Sequence, residues 1–176
     1  MRKQLFVAGL LFLSMSVVSD QCSMAQSSSP RPAQSASVQG TVRSQWHCPA
    51  DSVSHKLDVG DVPDHSYSIS QGKCNITPKD GSLTEKSAAT TEFDETWKDS
   101  YRFHGRANVT LENGDKVFYV YEGYAKDLSK PPVESWQITG GTGKYQGIKG
   151  SGSCAGKTNA DSTSDWTCTG TYSLKK

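Results

Sequence analysis

The sequence predicts an all-β protein: an eight-stranded antiparallel up-and-down barrel of the lipocalin-like kind, stabilised by disulfides. Three observations predict it. No window of a dozen residues carries apolar side chains at helical spacing without a glycine, a proline or a β-branched cluster interrupting it. Short alternating runs separated by turn residues fill the chain instead, which is the pattern of a sandwich or a closed barrel. Four cysteines, Cys48, Cys74, Cys154 and Cys168, fall within or at the ends of such runs.

The chain opens on a different composition. Arg2 and Lys3 precede an apolar run from Leu5 to Val18, and Ser23-Met24-Ala25 supplies a small-residue cleavage site, so residues 1–25 read as a signal peptide. The apolar run is too short for a spanning helix, and Gln21 before Cys22 does not fit a lipoprotein site. Export to the periplasm or the exterior follows, and with it an oxidising compartment for the four remaining cysteines. Residues 26–39, QSSSPRPAQSASVQ, contain too little apolar surface to offset the entropy of ordering and read as a disordered leader. Residues 40–176 form one domain.

Cleavage removes two of 19 basic and one of 18 acidic residues, leaving 17 of each. A neutral chain carries no electrostatic case for nucleic acid or for an anionic membrane.

Within the domain, GTVRSQWHC (40–48) and SYSISQGKC (66–74) each alternate and end in a cysteine. A threonine-rich run over 82–96 follows, then 100–112, 115–125, VESWQIT (133–139), 147–156 and 165–174, the last two carrying Cys154 and Cys168. Pairing of nearest neighbours, Cys48 with Cys74 and Cys154 with Cys168, requires no topological contortion, although four cysteines allow three connectivities.

The clearest element is YRFHGRANVTLENGDKVFYVYEGYA. Tyr101, Phe103, Gly105, Ala107, Val109 and Leu111 alternate with polar residues, and Asn113-Gly114 is a strong hairpin signal. A two-residue loop pairs Leu111 with Lys116, Val109 with Phe118 and Phe103 with Tyr124. That register sends Glu122 to the apolar side among Phe118, Val120 and Tyr124, either as a pocket carboxyl of raised pKa or as a structural group bonded to a neighbouring Arg or Tyr. A slip of one residue puts it in solvent. The same register leaves Val117, Tyr119 and Tyr121 outside, His104 on the face opposite Glu122, and an outer face for a homo-oligomer or another cover.

Other chemistries fail on spacing. Gly156-Lys157-Thr158 lacks the glycine a Walker loop requires, Gln146 stands where a dinucleotide fingerprint needs glycine, and no helix follows either lysine. His47, Cys48, Asp51, His55, Asp58, Asp61, Asp64 and His65 crowd one segment without zinc or EF-hand spacing, so it reads as a solvated loop with no metal. There is no Gly-x-Ser-x-Gly, and oxidised cysteines offer no thiolate.

ITGGTGKYQGIKGSG (138–152) contains six of the sixteen glycines. Gly140-Gly141-Thr142-Gly143-Lys144-Tyr145-Gln146-Gly147-Ile148-Lys149-Gly150-Ser151-Gly152 resembles the signature of the allene oxide cyclase and dirigent-like barrel superfamily, including its exported bacterial members, and LENGDKVFYVYEG resembles the hairpin before it. The resemblance implies an eight-stranded barrel with a cavity. It implies a tight turn at Thr142 and its flanking glycines, inward Tyr145 and Ile148, and closure eased by Gly150 and Gly152. No residue set here matches the functional side chains of the plant cyclases or of the dirigent proteins, so neither activity carries over. The reading is a cofactor-free binding or structural module that holds a small apolar ligand near Glu122, Phe118, Val120, Tyr124, Trp136 and Phe103. The alternatives are a cofactor-free isomerase or cyclase in the same cavity and a protein self-associating through Tyr119 and Tyr121.

Overall fold

Alternation of period two becomes strand almost wherever it occurs. The computed structural model describes residues 37–80, 82–127 and 129–175. Its strands are β1 (Ser37–Cys48), β2 (Val53–Asp58), β3 (Ser66–Pro78), β4 (Glu85–Trp97), β5 (Ser100–Leu111), β6 (Lys116–Ala125), β7 (Val133–Gly141), β8 (Lys149–Thr158) and β9 (Ser164–Lys175), with a 3-10 turn at Gly143–Tyr145. All pairings are antiparallel in the order β1-β9-β8-β7-β6-β5-β4-β3-β2. Because β1 also pairs with β3, every strand except β2 joins a closed eight-stranded barrel.

The signal peptide and most of the expected leader lie outside the described residues. Ser37, Val38 and Gln39 do not belong to the leader: they pair with Lys175, Leu174 and Ser173 of β9, whose backbone groups would otherwise lack partners. The segment read as a solvated acidic loop contains β2. Ser44–His47 pair with Pro78–Asn75, and where β1 departs, Val53–Asp58 continue along Gln71–Ser66. Every residue of β2 is exposed, so it carries no core signal, only backbone pairing.

The interior is built from rings laid over glycines. Tyr121 stands opposite Gly105, Phe103 opposite Gly123, Trp136 opposite Gly152, Trp166 opposite Gly156 and Tyr172 opposite Gly40. A β-carbon at Gly105 would come 2.5 Å from the Tyr121 ring, and one at Gly170 would overlap the Trp136 indole. Each glycine therefore vacates the volume its neighbour's ring fills. Gly150 and Gly152 act in this way, making room for Ile138 and Trp136.

The glycine-rich connection is a turn, as the resemblance implied. A bulge at Thr139 precedes Gly140 and Gly141, Gly143 and Gly147 adopt φ of +53° and +80°, and Ile148 is fully buried. Thr142 fastens the turn to the start of β6: its N–H donates to the Lys116 carbonyl, and its Oγ1 accepts from the Lys116 N–H, both at 2.8 Å.

The disulfides pair as nearest neighbours. Cys48–Cys74 joins β1 to β3 at the closing seam, and Cys154–Cys168 joins directly opposed residues of β8 and β9. On the loop-entropy account each stabilises by about 3 kcal/mol.

The β5–β6 hairpin departs from expectation by one residue. Its loop has three residues, Glu112, Asn113 and Gly114, closed by Leu111 N–H to the Asp115 carbonyl at 2.9 Å and Gly114 N–H to the Leu111 carbonyl at 2.9 Å. Gly114 alone takes positive φ (+86°), while the Asn113 amide reaches Asp115 Oδ2 at 2.8 Å, so a type I turn followed by a glycine bulge replaces the two-residue turn. Val109 consequently faces Val117, Ala107 faces Tyr119 and His104 faces Glu122. Every side chain of β6 changes face relative to the expected register.

Gly152→Ala tests the ring-over-glycine packing. The new methyl group meets the Trp136 indole and the Thr169 carbonyl, and the expected loss is about 1–3 kcal/mol, read as a lower urea midpoint. An unchanged midpoint would show that the layer is loose.

Candidate functional site: an acidic cavity inside the barrel

The corrected register relocates the site. Phe118, Val120, Glu122 and Tyr124 lie on the outer surface, with Glu122 exposed beside His104. Glu122 therefore borders open grooves of the outer surface and not the barrel interior, and Tyr119 and Tyr121, expected to form an outer association face, point into the barrel. Of the six residues expected to line a pocket, Phe103 and Trp136 are interior, each about 3 % exposed.

The strand that supplies the polar groups is β4. A register shift between Glu85 and Ser87 sets its phase, so that Glu85, Ala88, Thr90, Glu92 and Asp94 face inward while Phe93 faces water at 47 % exposure. This inverts the usual strand polarity. Opposite them, β6 sends in Tyr119 and Tyr121 and β7 sends in Glu134 and Trp136.

These groups border a cavity of about 170 Å³. Its walls include Trp46, Trp136, Trp166, Tyr119 and Tyr121, both disulfides, and the carboxyls of Glu85, Glu92, Glu134 and Asp51. By the measure in which one water needs roughly 10–15 Å³, this is room for a small organic molecule.

The deep end is organised by Glu85, which has no exposed surface. Tyr119 Oη donates to Glu85 Oε1 at 2.7 Å, whereas Oε2 has no partner, and neither has the buried Trp136 Nε1. Burial pushes the Glu85 carboxyl up, against the opposing pull of the Tyr119 and Ser44 hydroxyls. Burial, followed by the charge of Glu85, holds the Tyr119 phenol well above its ordinary range.

Nearer the mouth, one cross-strand row runs Glu92, Gly105, Tyr121, Trp136, Gly152. Gly105 leaves room for Tyr121 to reach across to Glu92. Burial and then neighbouring Asp94 raise Glu92 to about 9, and burial alone raises Glu134 to about 8. Asp94, which accepts from Ser68 Oγ at 3.0 Å, is also raised, chiefly by burial. Burial and then the Glu92 charge raise Tyr101 to about 12. Glu92 and Glu134 therefore hold their protons at neutral pH, able to donate a hydrogen bond or a proton.

Among the described residues no three His, Cys, Asp or Glu side chains converge as a metal set. His65, one of the crowded loop residues, is engaged elsewhere: its Nδ1 lies 2.7 Å from Asp61 and its Nε2 3.3 Å from Glu95, with its ring stacked on Trp97. No described helix is long and apolar enough to cross a membrane.

Neither a protein-family model nor a curated protein sequence matches this chain. Among solved structures, a pterocarpan synthase dirigent protein superposes with a TM-score of 0.54 at 14 % identity, over 88 % of this chain and 99 % of that one. At that identity the likeness is one of fold, and the barrel is dirigent-like.

The raised carboxyls make a prediction about stability. Between the ordinary carboxyl value of 4.5 and the folded values of about 8 and 9, the unfolded chain has released protons that the barrel keeps, so stability declines as pH rises through this window. The urea midpoint should fall between pH 6 and pH 9, with a slope of at most about 1.4 kcal/mol per pH unit per group. Glu92→Gln and Glu134→Gln should each raise the midpoint at pH 8 and flatten the decline. A wild-type midpoint that stays level across that range contradicts the assignment.

Proposed function

We propose that this protein is an exported dirigent-like barrel that binds one small organic ligand in its acidic cavity. The observation that carries the reading is the pair of buried, partnerless polar atoms, Glu85 Oε2 and Trp136 Nε1, in residues that border an aromatic-walled space. Buried polar groups without partners are costly, and a bound molecule supplies the missing bonds. Export is supported by the apolar N-terminal run and by the two disulfides.

A second reading rests on Glu92. A carboxyl that stays protonated to about 9 inside a shaped pocket is equipped as a general acid, which favours a cofactor-free isomerase or cyclase, or a module that directs the folding-up of a reactive substrate. The pterocarpan synthase named in the neighbouring structure is consistent with chemistry of that sort in such a barrel.

Native mass spectrometry of protein purified from its own host tests binding directly, because it retains small molecules. The expected result is a mass above that of the disulfide-bonded chain, lost on mild activation. Ala107, a buried residue of the cavity wall, provides the control: Ala107→Leu fills the space and should abolish the adduct. If protein carrying that substitution holds the same mass, the ligand is not in the barrel.

A further inference from the structure

We infer that the ligand of this cavity is a small organic cation, an amine or ammonium compound with an apolar or aromatic body, seated against Glu85, Glu92 and Glu134 within the indole and phenol rings. The inference rests on the binding function proposed above and names its ligand class.

Three independent features converge on it. The first is sign. Among the described residues the cavity is bordered by four acids, Asp51, Glu85, Glu92 and Glu134, and by no lysine, arginine or histidine. A carboxylate or phosphate finds no counter-charge there, whereas a cation can turn the protonated Glu92 and Glu134 into paired carboxylates. The second is the wall. Trp46, Trp166 and Tyr121 present rings to the same space, and a cation over an aromatic face is attracted by the ring quadrupole, most strongly when desolvated. The third is the orphan oxygen. Glu85 Oε2 is fully buried without a donor, while its other oxygen is already taken by Tyr119. An ammonium N–H satisfies it, and no protein cation is present among the lining residues to do so.

The resting protonation of the site fits the same partner. With no counter-charge, Glu92 and Glu134 retain their protons above neutrality because burial penalises the charged carboxylate. An entering ammonium supplies the missing positive charge, so a carboxyl gives its proton to buffer and becomes a carboxylate paired with the ligand. The atoms balance as ammonium plus carboxylic acid going to an ammonium–carboxylate pair plus one released proton. Asp94 on β4, Tyr101 on β5, Tyr119 and Tyr121 on β6, and Asp51 in the β1–β2 connection are the other titratable groups around these carboxyls, and His104, on the outer face of β5, acts on Asp94 from outside. None of the groups that line the cavity is basic, so none competes for the role.

Isothermal calorimetry with three probes of one shape tests the assignment: benzylamine, benzyl alcohol and benzoate, at pH 7.5 in two buffers of different ionisation enthalpy. The expected result is benzylamine binding about tenfold or more tighter than benzyl alcohol, equivalent to about 1.4 kcal/mol, with proton release and no benzoate binding. Glu92→Gln with Glu134→Gln should reduce the amine preference to within about threefold, its fold checked by circular dichroism. Should the pair fail to fold, Glu134→Gln alone should still diminish the preference and the proton release. Benzyl alcohol binding as tightly as benzylamine overturns the cation and leaves the cavity-binding reading intact. Absence of binding by all three, together with no ligand mass on protein from its host, removes both.

Discussion

Everything inside this barrel depends on aromatic rings occupying space that glycines leave vacant. Gly40, Gly105, Gly123, Gly152 and Gly156 each stand opposite a tyrosine, phenylalanine or tryptophan, and Trp136 extends past Gly152 to cover Gly170 as well. Eight strands enclose a bore just wide enough for side chains to fill, so large rings fit only where the neighbouring strand contributes none. The arrangement also fixes register. Shifting one strand by a residue would place a ring over a side chain and a glycine over a ring, losing packing on both counts.

The same constraint creates the cavity. Rings cover their glycines by lying along the wall, which leaves the axis open between Tyr119, Tyr121 and the tryptophans. Into that opening β4 turns Glu85 and Glu92, β7 turns Glu134, and the β1–β2 connection adds Asp51. Gly105 connects the two themes, because its missing side chain lets Tyr121 pass over β5 toward Glu92. The disulfides border this space too, joining β1 to β3 and β8 to β9 near the carboxyls. Their stabilisation sits where buried acids most weaken the fold.

Sequence and structure agree where one face is apolar and the other wet. The strands, the inward row from Phe103 to Leu111, the disulfide partners and the turn at Thr142 were legible for that reason. The hairpin at Asn113-Gly114 was legible as a hairpin but not in its length, because Asn113 spends its side chain on Asp115 and leaves positive φ to Gly114 alone. One extra loop residue exchanged Glu122 for Tyr121 and moved the expected site to the outside. The real carboxyls were hidden on β4, whose inward residues are acids and whose outward Phe93 looks like core. Polarity rules reverse around a polar cavity, so a strand that lines one is misread by the rules that find the rest. β2 escaped notice because its alternation borders water on both faces.

A barrel with four carboxyls along its cavity and no cation among the described lining residues to balance them is held together against part of its own electrostatics. Apolar residues at Glu92 and Glu134 would pack as well and would not weaken the fold as pH rises. That cost is acceptable in a structural module only if the acids meet a partner the folded chain does not itself provide. Buried acids concentrated at one site, with the remainder of the molecule clamped by disulfides and ring packing, are what the proposed ligand-binding role requires. The fold is shared with a dirigent protein at 14 % identity, and the chemistry must therefore be sought in the side chains of this cavity, not in the architecture that surrounds them.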